Sequence, residues 1–315
     1  MISISEPDQQ MKSKLAELAN WIARFATSDG TYETNFPALS LIRSSENASP
    51  VYTVYEPSIC LVAQGSKLVL LGEEAYQYGP SQYFAVSVDL PISGQLTDAS
   101  IEQPYLAVRL QINPQQVLEL IQDTDHRRAA RGTVSRGLYV SRASSDMLDA
   151  FLRLVRLLET PDDLAILAPM IAREILYRAL QDGQGDVLRQ IAPGAGHAAS
   201  IAEVIRRIRE CYHEPLRIED LATEVGMSSS SLHRRFRDVT AMSPLQFQKQ
   251  IRLQEARQML LSEPIQAAEV AFRVGYESPS QFNREYARLF GKPPMGDIRQ
   301  WRNLSDTGTD SKRNN

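Results

Sequence analysis

The chain has 315 residues, 43% of them apolar and 23% charged, which is long enough for two domains that each bury a core. It contains no apolar run of membrane-spanning length and no basic start followed by an apolar block, so we expect neither a membrane protein nor a secreted one, but a cytoplasmic chain. The net charge of −4 averages two unlike parts: residues 1–200 hold 16 Lys+Arg and 23 Asp+Glu, giving −7, and residues 201–302 hold 16 and 13, giving +3.

Cysteine and histidine content argues against two further kinds of site. The two cysteines, Cys60 and Cys211, fall in different predicted domains, and a structural disulfide is not expected in a reducing compartment. These cysteines and the four histidines are too widely scattered for zinc-ligand spacing. The sequence therefore predicts no metal and no cofactor.

The first half of the chain is predicted to consist of short strands after an amphipathic helix that begins near Gln9. Segments rich in branched and aromatic residues alternate with turns that contain glycine or proline. The segments are residues 39–44, 58–64, 67–72, 75–79, 82–88 and 105–112. Asp89, Leu90 and Pro91 are interpreted as one of the breaks. Many short strands at this spacing are typical of a barrel or a double-sheet jelly roll.

A barrel of this kind can hold a small apolar or mixed ligand. The candidate lining residues are Tyr76, Tyr78, Tyr83, Phe84 and Tyr105, although each could equally be an ordinary core or surface aromatic. A metal enzyme would need clustered histidine and carboxylate ligands. No histidine occurs between Thr31 and Pro114, and Glu73 and Glu74 occupy a hairpin turn, which favours solvated carboxylates. With no Ser/His/Asp or Cys/His motif either, the sequence argues against an enzyme.

Cys60 lies in the middle of a predicted strand, which favours a buried and inert thiol. The alternative is a thiol that senses oxidants or reactive carbonyls. That alternative requires an exposed side chain and a lowered pKa. Cys211 is assigned to the core of the second half.

Helices are predicted beyond Pro114. The first runs to Asp125 with Asn113 as its cap, and the basic run at 126–131 follows it as a solvated loop or a DNA contact. Residues 144–159 and 162–181 form two long helices with apolar faces, which either make a dimer interface or pack against their own barrel. A cluster of alanine, proline and glycine at 192–196 places a linker near 193–200.

Two copies of one pattern occupy the second half, after a helix at 200–213. In the first copy, a helix at 218–225 ends at Gly226, and Ser228 caps a helix at 229–238. In the second copy, a helix containing Val270 ends at Gly275, and a helix at 279–290 follows Ser278, with Gln281 as its capping-box partner. A connecting helix fills the space between the copies. A short helix, a glycine turn and a second helix with a polar outer face form a helix-turn-helix.

The outer faces of the two second helices contain the residue types that read DNA. Arginine pairs with guanine, and asparagine and glutamine pair with adenine. The predicted base-reading residues are Ser230, His233, Arg234, Ser280, Gln281, Asn283 and Arg284. The predicted phosphate contacts are Arg235, Arg237, Arg288 and Lys292. Either Arg234 or Arg284 could instead bridge to a phosphate or a carboxylate, and His233 could be a neutral surface residue rather than a pH switch.

This paired pattern resembles the DNA-binding region of the AraC/XylS family of bacterial transcription regulators. The resemblance covers roughly residues 200–302. Its most specific parts are A-x-x-x-G-M-S at 222–228, L-x-R-x-F at 232–236 and G-Y-E-S-P-S-x-F-x-R at 275–284. Two residues depart from the family pattern: Ala287 replaces a basic residue, and Asp297 replaces an aromatic one. These departures put the phosphate contacts of the last turn in doubt.

Residues 58–100 and 104–114 resemble the N-terminal region of one branch of that family, which has a cupin-like β-fold. Together the resemblances imply a regulator that binds promoter DNA, contacts RNA polymerase as an activator and responds to a small-molecule effector in its first half. The alternatives are an effector-free regulator whose barrel serves only to form a homodimer, and a cupin-type enzyme. Nothing in the resemblance identifies the effector.

The expected fold is therefore α+β, with an N-terminal cupin-like β-barrel and flanking helices before an all-α domain with two helix-turn-helix motifs. The predicted boundaries are 1–192 for the regulatory domain, 193–200 for the linker, 201–302 for the DNA-binding domain and 303–315 for a disordered tail. One monomer would place its two reading helices in successive major grooves, roughly 34 Å apart.

Overall fold

A computed structural model describes residues 6–47, 50–124, 135–192 and 197–301. The chain forms two compact units. Unit 1 contains residues up to 203 together with residues 231–242, and unit 2 contains residues 204–230 and those from 243 onward. The basic run at 126–131 and the tail at 303–315 lie outside the described residues, as does the 193–196 part of the predicted linker.

Unit 1 is built around two antiparallel sheets. Its strands are β1 (Gly30–Glu33), β2 (Leu39–Ser44), β3 (Val51–Tyr55), β4 (Ser58–Gln64), β5 (Ser66–Leu71), β6 (Glu74–Tyr78), β7 (Gln82–Val86), β8 (Leu90–Asp98), β9 (Tyr105–Gln111) and β10 (Leu138–Arg142). The larger sheet has the order β1-β2-β9-β4-β7-β10, and the smaller one has the order β3-β8-β5-β6. The non-sequential orders mean that strands cross between sheets, as in a jelly roll.

The six strands predicted from the sequence are present, each within two residues of its expected ends, and four further strands, β1, β3, β8 and β10, accompany them. The break predicted at residues 89–91 is wrong, because β8 starts at Leu90 and includes Pro91. Pro91 is tolerated because β5 pairs with β8 only from Ser93 onward, so the missing N–H faces one neighbouring strand at most.

Helices cover one side of the larger sheet. They are α1 (Glu6–Phe25), α2 (Pro114–Thr124), α3 (Ser145–Arg156), α4 (Pro161–Gln181) and α5 (Asp186–Arg189), with a 3₁₀ turn at Leu157–Glu159. Helix α1 packs on β4, β9 and β2, and α3 packs between α1 and α4. The Ser144 side chain caps α3 by accepting a hydrogen bond from the Met147 amide. Both faces of β4 are consequently buried.

The rest of the chain is helical. The elements are α6 (His197–Glu210), α7 (Ile218–Glu224), α8 (Ser229–Thr240), α9 (Pro244–Ser262), α10 (Ala267–Arg273) and α11 (Pro279–Phe290), followed by a helical segment at 294–301. The predicted fold class is confirmed, with antiparallel sheets in the first half and helices in the second. Within the described ranges, every helix is too short or too polar to span a lipid bilayer.

Candidate functional sites

The turns before α8 and α11 have the same hydrogen-bond geometry. Gly226 has a φ of 66° and donates to the Thr223 carbonyl at 3.1 Å, and Met227 donates to Ala222 at 2.8 Å. In the second copy Gly275 has a φ of 91°, and the amides of residues 275 and 276 bond residues 272 and 271 at 3.0 and 2.9 Å. This pair of bonds is the Schellman motif, whose positive φ favours glycine. The sequence repeat is therefore a structural repeat.

The helices that follow these turns are also matched. Helices α8 and α11 have 12 residues each, and each starts shortly after a serine, Ser228 or Ser278. The Ser278 side chain accepts the Gln281 amide at 3.4 Å, which is one half of the predicted capping box. The Gln281 side chain donates to Glu285 at 3.4 Å instead of returning to residue 278.

The inward residues of both helices are buried as the pattern predicts. Leu232 and Phe236 in α8, and Phe282 and Tyr286 in α11, are inaccessible to solvent. In unit 2, α11 packs into a core with α9, α10 and the segment at 294–301. Its buried members are Leu253, Ala256, Leu260, Val270, Ala271, Val274, Tyr276, Phe282, Tyr286 and Ile298. The residues on the opposite face of α11 are thereby directed to solvent.

Asp297, which departs from the family pattern, has a structural role in unit 2. It is 5% exposed and accepts two hydrogen bonds from Arg257, at 2.8 and 3.1 Å. It also accepts the Tyr286 hydroxyl at 2.8 Å. Burial and the neighbouring Asp297 raise the pKa of Tyr286, so the phenol remains a neutral donor. Asp297 thus fixes the last turns of α11.

Arg252 of α9 holds the turn before α11. Its guanidinium donates to the Tyr212 carbonyl at 2.6 Å, to Glu214 at 2.8 Å and to Gly275 at 2.8 Å. The same group lies 5.9 Å from the centre of the Tyr276 ring. Because one planar side chain satisfies three carbonyls, it fixes the glycine turn against the end of α6.

The predicted DNA-contacting side chains are accessible. All seven predicted base-reading residues are exposed, as are Arg237, Arg288 and Lys292, and Arg235 is half-buried. Arg235 donates to Ser231 at 3.4 Å, and Lys292 donates to Gln300. Within the described part of the chain, Arg234 and Arg284 make no ion pair. The predicted alternative in which either arginine bridges to a carboxylate is therefore not seen.

The C-terminal end of α8 is held by the barrel within unit 1. Arg136, just before β10, donates to the carbonyls of Arg237 and Asp238, both at 2.6 Å. The Gly137 amide donates to the Val239 carbonyl at 2.9 Å. Arg136 also pairs with Glu74 of β6. The last carbonyls of a helix lack intrahelical donors, and the barrel donates to those of Asp238 and Val239 and adds a second donor at Arg237, which also accepts the Ala241 amide.

Glu74 connects this contact to a predicted pocket residue. It accepts the Tyr76 hydroxyl at 2.7 Å as well as the Arg136 guanidinium. Burial raises the pKa of Glu74, but hydrogen bonds from Arg136 and Tyr76 outweigh it and leave the pKa below its ordinary value. Burial and the bond to Glu74 raise the pKa of Tyr76 to about 12. Glu74 therefore has specific partners rather than being a free, solvated turn residue.

The five residues predicted to line a ligand pocket lie in three different environments. Tyr78, Phe84 and Tyr105 are buried between the two sheets, where Tyr78 stacks on Phe84 with ring centres 5.0 Å apart. Tyr76 is half-buried on β6. Tyr83 is adjacent to Phe84 in β7, so its side chain lies on the opposite face of the strand. There it packs edge-on against Tyr139, with the two hydroxyls 3.3 Å apart. Tyr83 therefore does not line the space that Phe84 faces.

Cys60 lacks both conditions that a sensor thiol requires. It is 7% exposed, and burial raises the pKa of its thiol above the ordinary value. Cys211 is half-buried, with its sulfur 3.0 Å from an Arg207 nitrogen. In the residues that the structure describes, no group of three or more His, Cys, Asp or Glu side chains is arranged to hold a metal ion.

Comparison with known families gives two matches that together span most of the chain. Residues 35–187 match the family described as the AraC-type transcriptional regulator N-terminus, and residues 221–300 match a helix-turn-helix domain family. The chain belongs to the AraC family. Curated relatives include the activator RhaS of Salmonella schwarzengrund, 30% identical over 53% of this chain and 60% of its own length. The activator RclR of Escherichia coli, described as RCS-specific, is 35% identical over 32% of this chain and 35% of its own length.

This AraC-family chain therefore matches less than two thirds of the length of each of these relatives. Among solved structures, ToxT of Vibrio cholerae has the same fold, with a TM-score of 0.56 at 11% identity over 82% of this chain and 97% of ToxT. ToxT has also been solved with an unsaturated fatty acid bound, a structure that matches with a TM-score of 0.51 at 11% identity, covering 82% of this chain and 94% of that one. The matched relatives are transcription regulators rather than enzymes.

The AraC-family chain also has an apolar groove on the outer side of α3 and α4. The groove has a volume of about 640 Å³ and is lined by Leu157, Leu167, Met170 and Ile171 together with Arg153 and Glu174. Met170 is 63% exposed, and the neighbouring Ile166 is 68% exposed. Helices α3 and α4 pack on each other, and α3 also packs on α1. A dimer interface on their outer faces stays a prediction.

Proposed function

We propose that this chain is a transcription regulator that binds promoter DNA through α8 and α11. One observation carries the proposal: two helices of equal length follow identical glycine turns, and each exposes an arginine at its sixth position, Arg234 or Arg284. A motif used only for packing would not require the same exposed residue in both copies. Such a regulator acts in the cytoplasm, where bacterial DNA lies.

The outer faces of the two helices have the chemistry for sequence reading. An arginine can donate two hydrogen bonds to guanine O6 and N7, and Asn283 or Gln281 can pair with adenine. Arg237 and Arg288 supply phosphate contacts, which increase affinity and make it dependent on salt. We expect α8 and α11 to enter successive major grooves roughly 34 Å apart. Helix α9, with 19 residues, is long enough to separate them.

The regulation that we propose is control by a small molecule bound in unit 1, with activation through contact with RNA polymerase. Two observations support it. RhaS and RclR are named activators, and the last turn of α8 is bonded to the barrel through Arg136. A ligand that prefers one arrangement of the barrel would shift the population of α8 arrangements by its difference in affinity.

A homodimer is the second part of the proposal, and the groove on α3 and α4 favours it. Exposed Ile166 and Met170 lie beside arginine and glutamate side chains, so two copies related by a twofold axis could bury apolar groups and pair opposite charges. Sedimentation at rising concentration tests this. We expect Ile166→Lys to shift the chain toward monomer, whereas Ala165→Lys, at an exposed position of the same helix whose side chain does not line the groove, should leave association unchanged.

Selection of random duplex DNA by the full chain tests the proposed function. We expect two enriched blocks about one helical turn apart. Arg284→Ala should weaken binding to the selected site by about 1–3 kcal/mol and relax the choice at one base position. Arg234→Ala should do the same in the other block.

Arg273→Ala is the matched control, since Arg273 is an exposed arginine of the same unit that is paired with Glu263 and Glu269. It should leave the base preference unchanged. If Arg284→Ala and Arg273→Ala have the same effect, α11 does not read bases as proposed. If the chain selects no sequence even at low salt, the regulator function itself is wrong.

A further inference from the structure

A carboxylate lies beside the proposed base-reading face of α11. Glu285 and the predicted base reader Gln281 both line a polar cavity of about 270 Å³ in unit 2. The side chain of Glu285 is 19% exposed. DNA is a polyanion, so a carboxylate close to the surface that meets it opposes binding. The contacts of Glu285 indicate what its presence there provides.

On one side, Glu285 is fixed by the glycine turn and by α9. The Tyr276 hydroxyl donates to its Oε2 atom at 2.8 Å. Burial raises the pKa of Tyr276, and hydrogen bonding to Glu285 raises it further, so the phenol remains a neutral donor. The Lys249 ammonium of α9 lies 3.9 Å from the Oε1 atom and offsets the negative charge. These two partners restrict the position of the carboxylate.

The Oε1 atom of Glu285 also meets Gln281, which lies one turn earlier in α11. The Gln281 Nε2 atom donates to it at 3.4 Å. The terminal torsion of a glutamine has a broad, roughly twofold profile, so an exposed amide without a partner can present its nitrogen or its oxygen to a ligand. An ionised carboxylate only accepts hydrogen bonds, so it admits the nitrogen and excludes the oxygen. Glu285 therefore leaves the amide oxygen and the second N–H of Gln281 for a ligand.

The first helix-turn-helix has a different pair at the same two positions. Ser231 and Arg235 are the third and seventh residues of α8, as Gln281 and Glu285 are of α11. The Arg235 Nε atom donates to the Ser231 hydroxyl at 3.4 Å, so the bond runs in the opposite direction along the helix. The tyrosine of the second glycine turn is also replaced by a methionine in the first. The packing that the two copies share therefore does not require a carboxylate at this position.

We propose that Glu285 is a positioning residue for base reading: it holds the amide nitrogen of Gln281, so that Gln281 presents its oxygen to a base with an amino group in the major groove. The amino group of adenine or cytosine donates to that oxygen, whereas guanine and thymine present acceptors there. The second N–H of Gln281 can donate to adenine N7, which favours adenine over cytosine. This role rests on the proposed function, because it requires that α11 reads bases.

Selection of random duplex DNA by the full chain supplies the site for the test. The base pair that Gln281 reads is the one at which Gln281→Ala loses its preference. Each base pair has one amino base in the major groove, adenine or cytosine, and that base can be replaced by an analogue without the amino group. The analogues are purine for adenine and 2-pyrimidinone for cytosine. We expect the replacement to weaken wild-type binding by about tenfold, the order expected for one base contact.

Glu285→Gln is the deciding variant. It keeps the size of the side chain and an acceptor for the Tyr276 hydroxyl, but its amide can face either end of the Gln281 amide. The loss caused by the analogue should therefore fall from about tenfold to about threefold or less. Gln281→Ala should show little loss, and adding Glu285→Gln to it should change nothing further. A purely structural role of Glu285 would not make its effect depend on Gln281.

Two further variants make the test independent of folding and of charge. Glu285→Ala removes the acceptor and introduces a strong helix former, so it should reduce the loss as Glu285→Gln does. It decides the matter if Glu285→Gln fails to fold, which a melting curve without DNA shows. Glu269→Gln removes a carboxylate that is 57% exposed on α10, and it should retain the full wild-type loss.

The positioning role is wrong if the analogue costs the Glu285 variants as much as it costs the wild type, or if these variants bind every sequence more weakly by the same factor. It is also wrong if Gln281→Ala keeps the preference at every base pair. DNA selection distinguishes these results from failure of the proposed function. A chain that selects a site and keeps its full preference in Glu285→Gln refutes only the role of Glu285, whereas a chain that selects no sequence refutes both.

Discussion

Helices α8 and α11 follow the same glycine turn and have the same length, but their C-terminal ends are held by different parts of the molecule. The end of α11 is fixed inside unit 2, where Tyr286 bonds Asp297 and Asp297 bonds Arg257. The end of α8 is fixed inside unit 1, where Arg136 and Gly137 bond its last carbonyls. The same motif thus has two different tertiary partners.

The two helices also differ in the residue that follows the last turn. Helix α11 ends at Gly291, whose φ of 78° costs glycine little, whereas α8 is followed by Ala241 with a φ of 59°. A non-glycine residue in that conformation requires support from its surroundings. A Cβ atom added at Gly72, in the β5–β6 turn, would lie 3.6 Å from the Cβ atom of Ala241, so this turn of the barrel lies close to Ala241.

The comparison teaches that a repeated motif specifies the start and the outward face of a helix, but not its end. The glycine turn and the buried positions are local properties, so both copies have them. The partner of the last turn is determined by residues far away in the sequence. Of these two helices, α8 is the one for which the described residues include bonds to the barrel, so we expect a change in the barrel to affect α8 before α11.

The largest expected effect is on the end of α11. Asp297→Ala leaves the Arg257 side chain, which is 11% exposed, without its counter-ion and the Tyr286 hydroxyl without its acceptor. Breaking a buried pair from one side costs about 3–5 kcal/mol of the free energy of unfolding. Urea unfolding of the full chain measures this loss. A Trp21→Phe background leaves Trp301, which packs on Arg257, as the reporter of unit 2.

The exposed pair of Arg273 and Glu269 is the matched control, because it joins the same residue types at 48% and 57% exposure. Glu269→Ala should cost less than about 1 kcal/mol. An Asp297→Ala loss no larger than the control loss would show that the buried network does not hold the end of α11.

The second prediction compares the two glycine turns. A Cβ atom at residue 275 would lie 2.2 Å from the His213 carbonyl oxygen, whereas at Gly226 nothing lies within 4 Å. Gly226→Ala should therefore cost only the positive-φ penalty, about 1–2 kcal/mol. Gly275→Ala adds an overlap, which brings the cost to about 2–5 kcal/mol. Urea unfolding of both variants provides the comparison, and equal losses would show that the close approach at residue 275 is relieved cheaply.

The sequence predicted those parts of the structure that depend on local pattern. The glycine turns, the buried Leu232 and Phe282, and six strands follow from spacing and residue type. Of the four missed strands, β1 has no buried residue, so it shows no alternation. Strand β3 does have a signal in the sequence, since Val51 and Tyr52 are of types enriched in strands. Pro91 concealed the start of β8.

Sites that depend on distant residues could not be predicted. Arg136 meets carbonyls 101 and 102 positions away, and no spacing rule relates them. Asp297 departs from its family pattern, but only the fold reveals that Arg257 and Tyr286 pair with it.

The third prediction concerns the end of α8. Arg136→Ala removes two hydrogen bonds to helix carbonyls and the pair with Glu74, which should cost about 1–2 kcal/mol. Hydrogen exchange reports the effect locally. The Ala241 amide, bonded to Arg237, should lose protection, and the Gly291 amide, bonded to Ala287, should not.

Arg24→Ala removes an exposed arginine from α1 and is the control for loss of charge.

A pH series adds a second test of the bond between Arg136 and Glu74. The pKa of Glu74 is lowered on folding, so its contribution is complete above the ordinary value of 4.5 and is lost as pH falls through the lower folded value. Acid should therefore release the end of α8 in the wild-type chain and change little in Arg136→Ala. Equal loss of protection at both helix ends would contradict the distinction drawn between them.

The smallest expected effects have opposite signs at the two helix ends. Ala241→Gly relieves a positive φ and should raise the free energy of unfolding by up to about 1 kcal/mol. Gly291→Ala creates the strain that Ala241 already has and should lower it by about 1 kcal/mol, since no atom within 4 Å adds a clash. Urea unfolding of each single variant and of the pair checks this. The two sites are fifty residues apart and held by different units, so the double variant should return to the wild-type value; a clear departure from additivity would mean that the two helix ends are coupled after all.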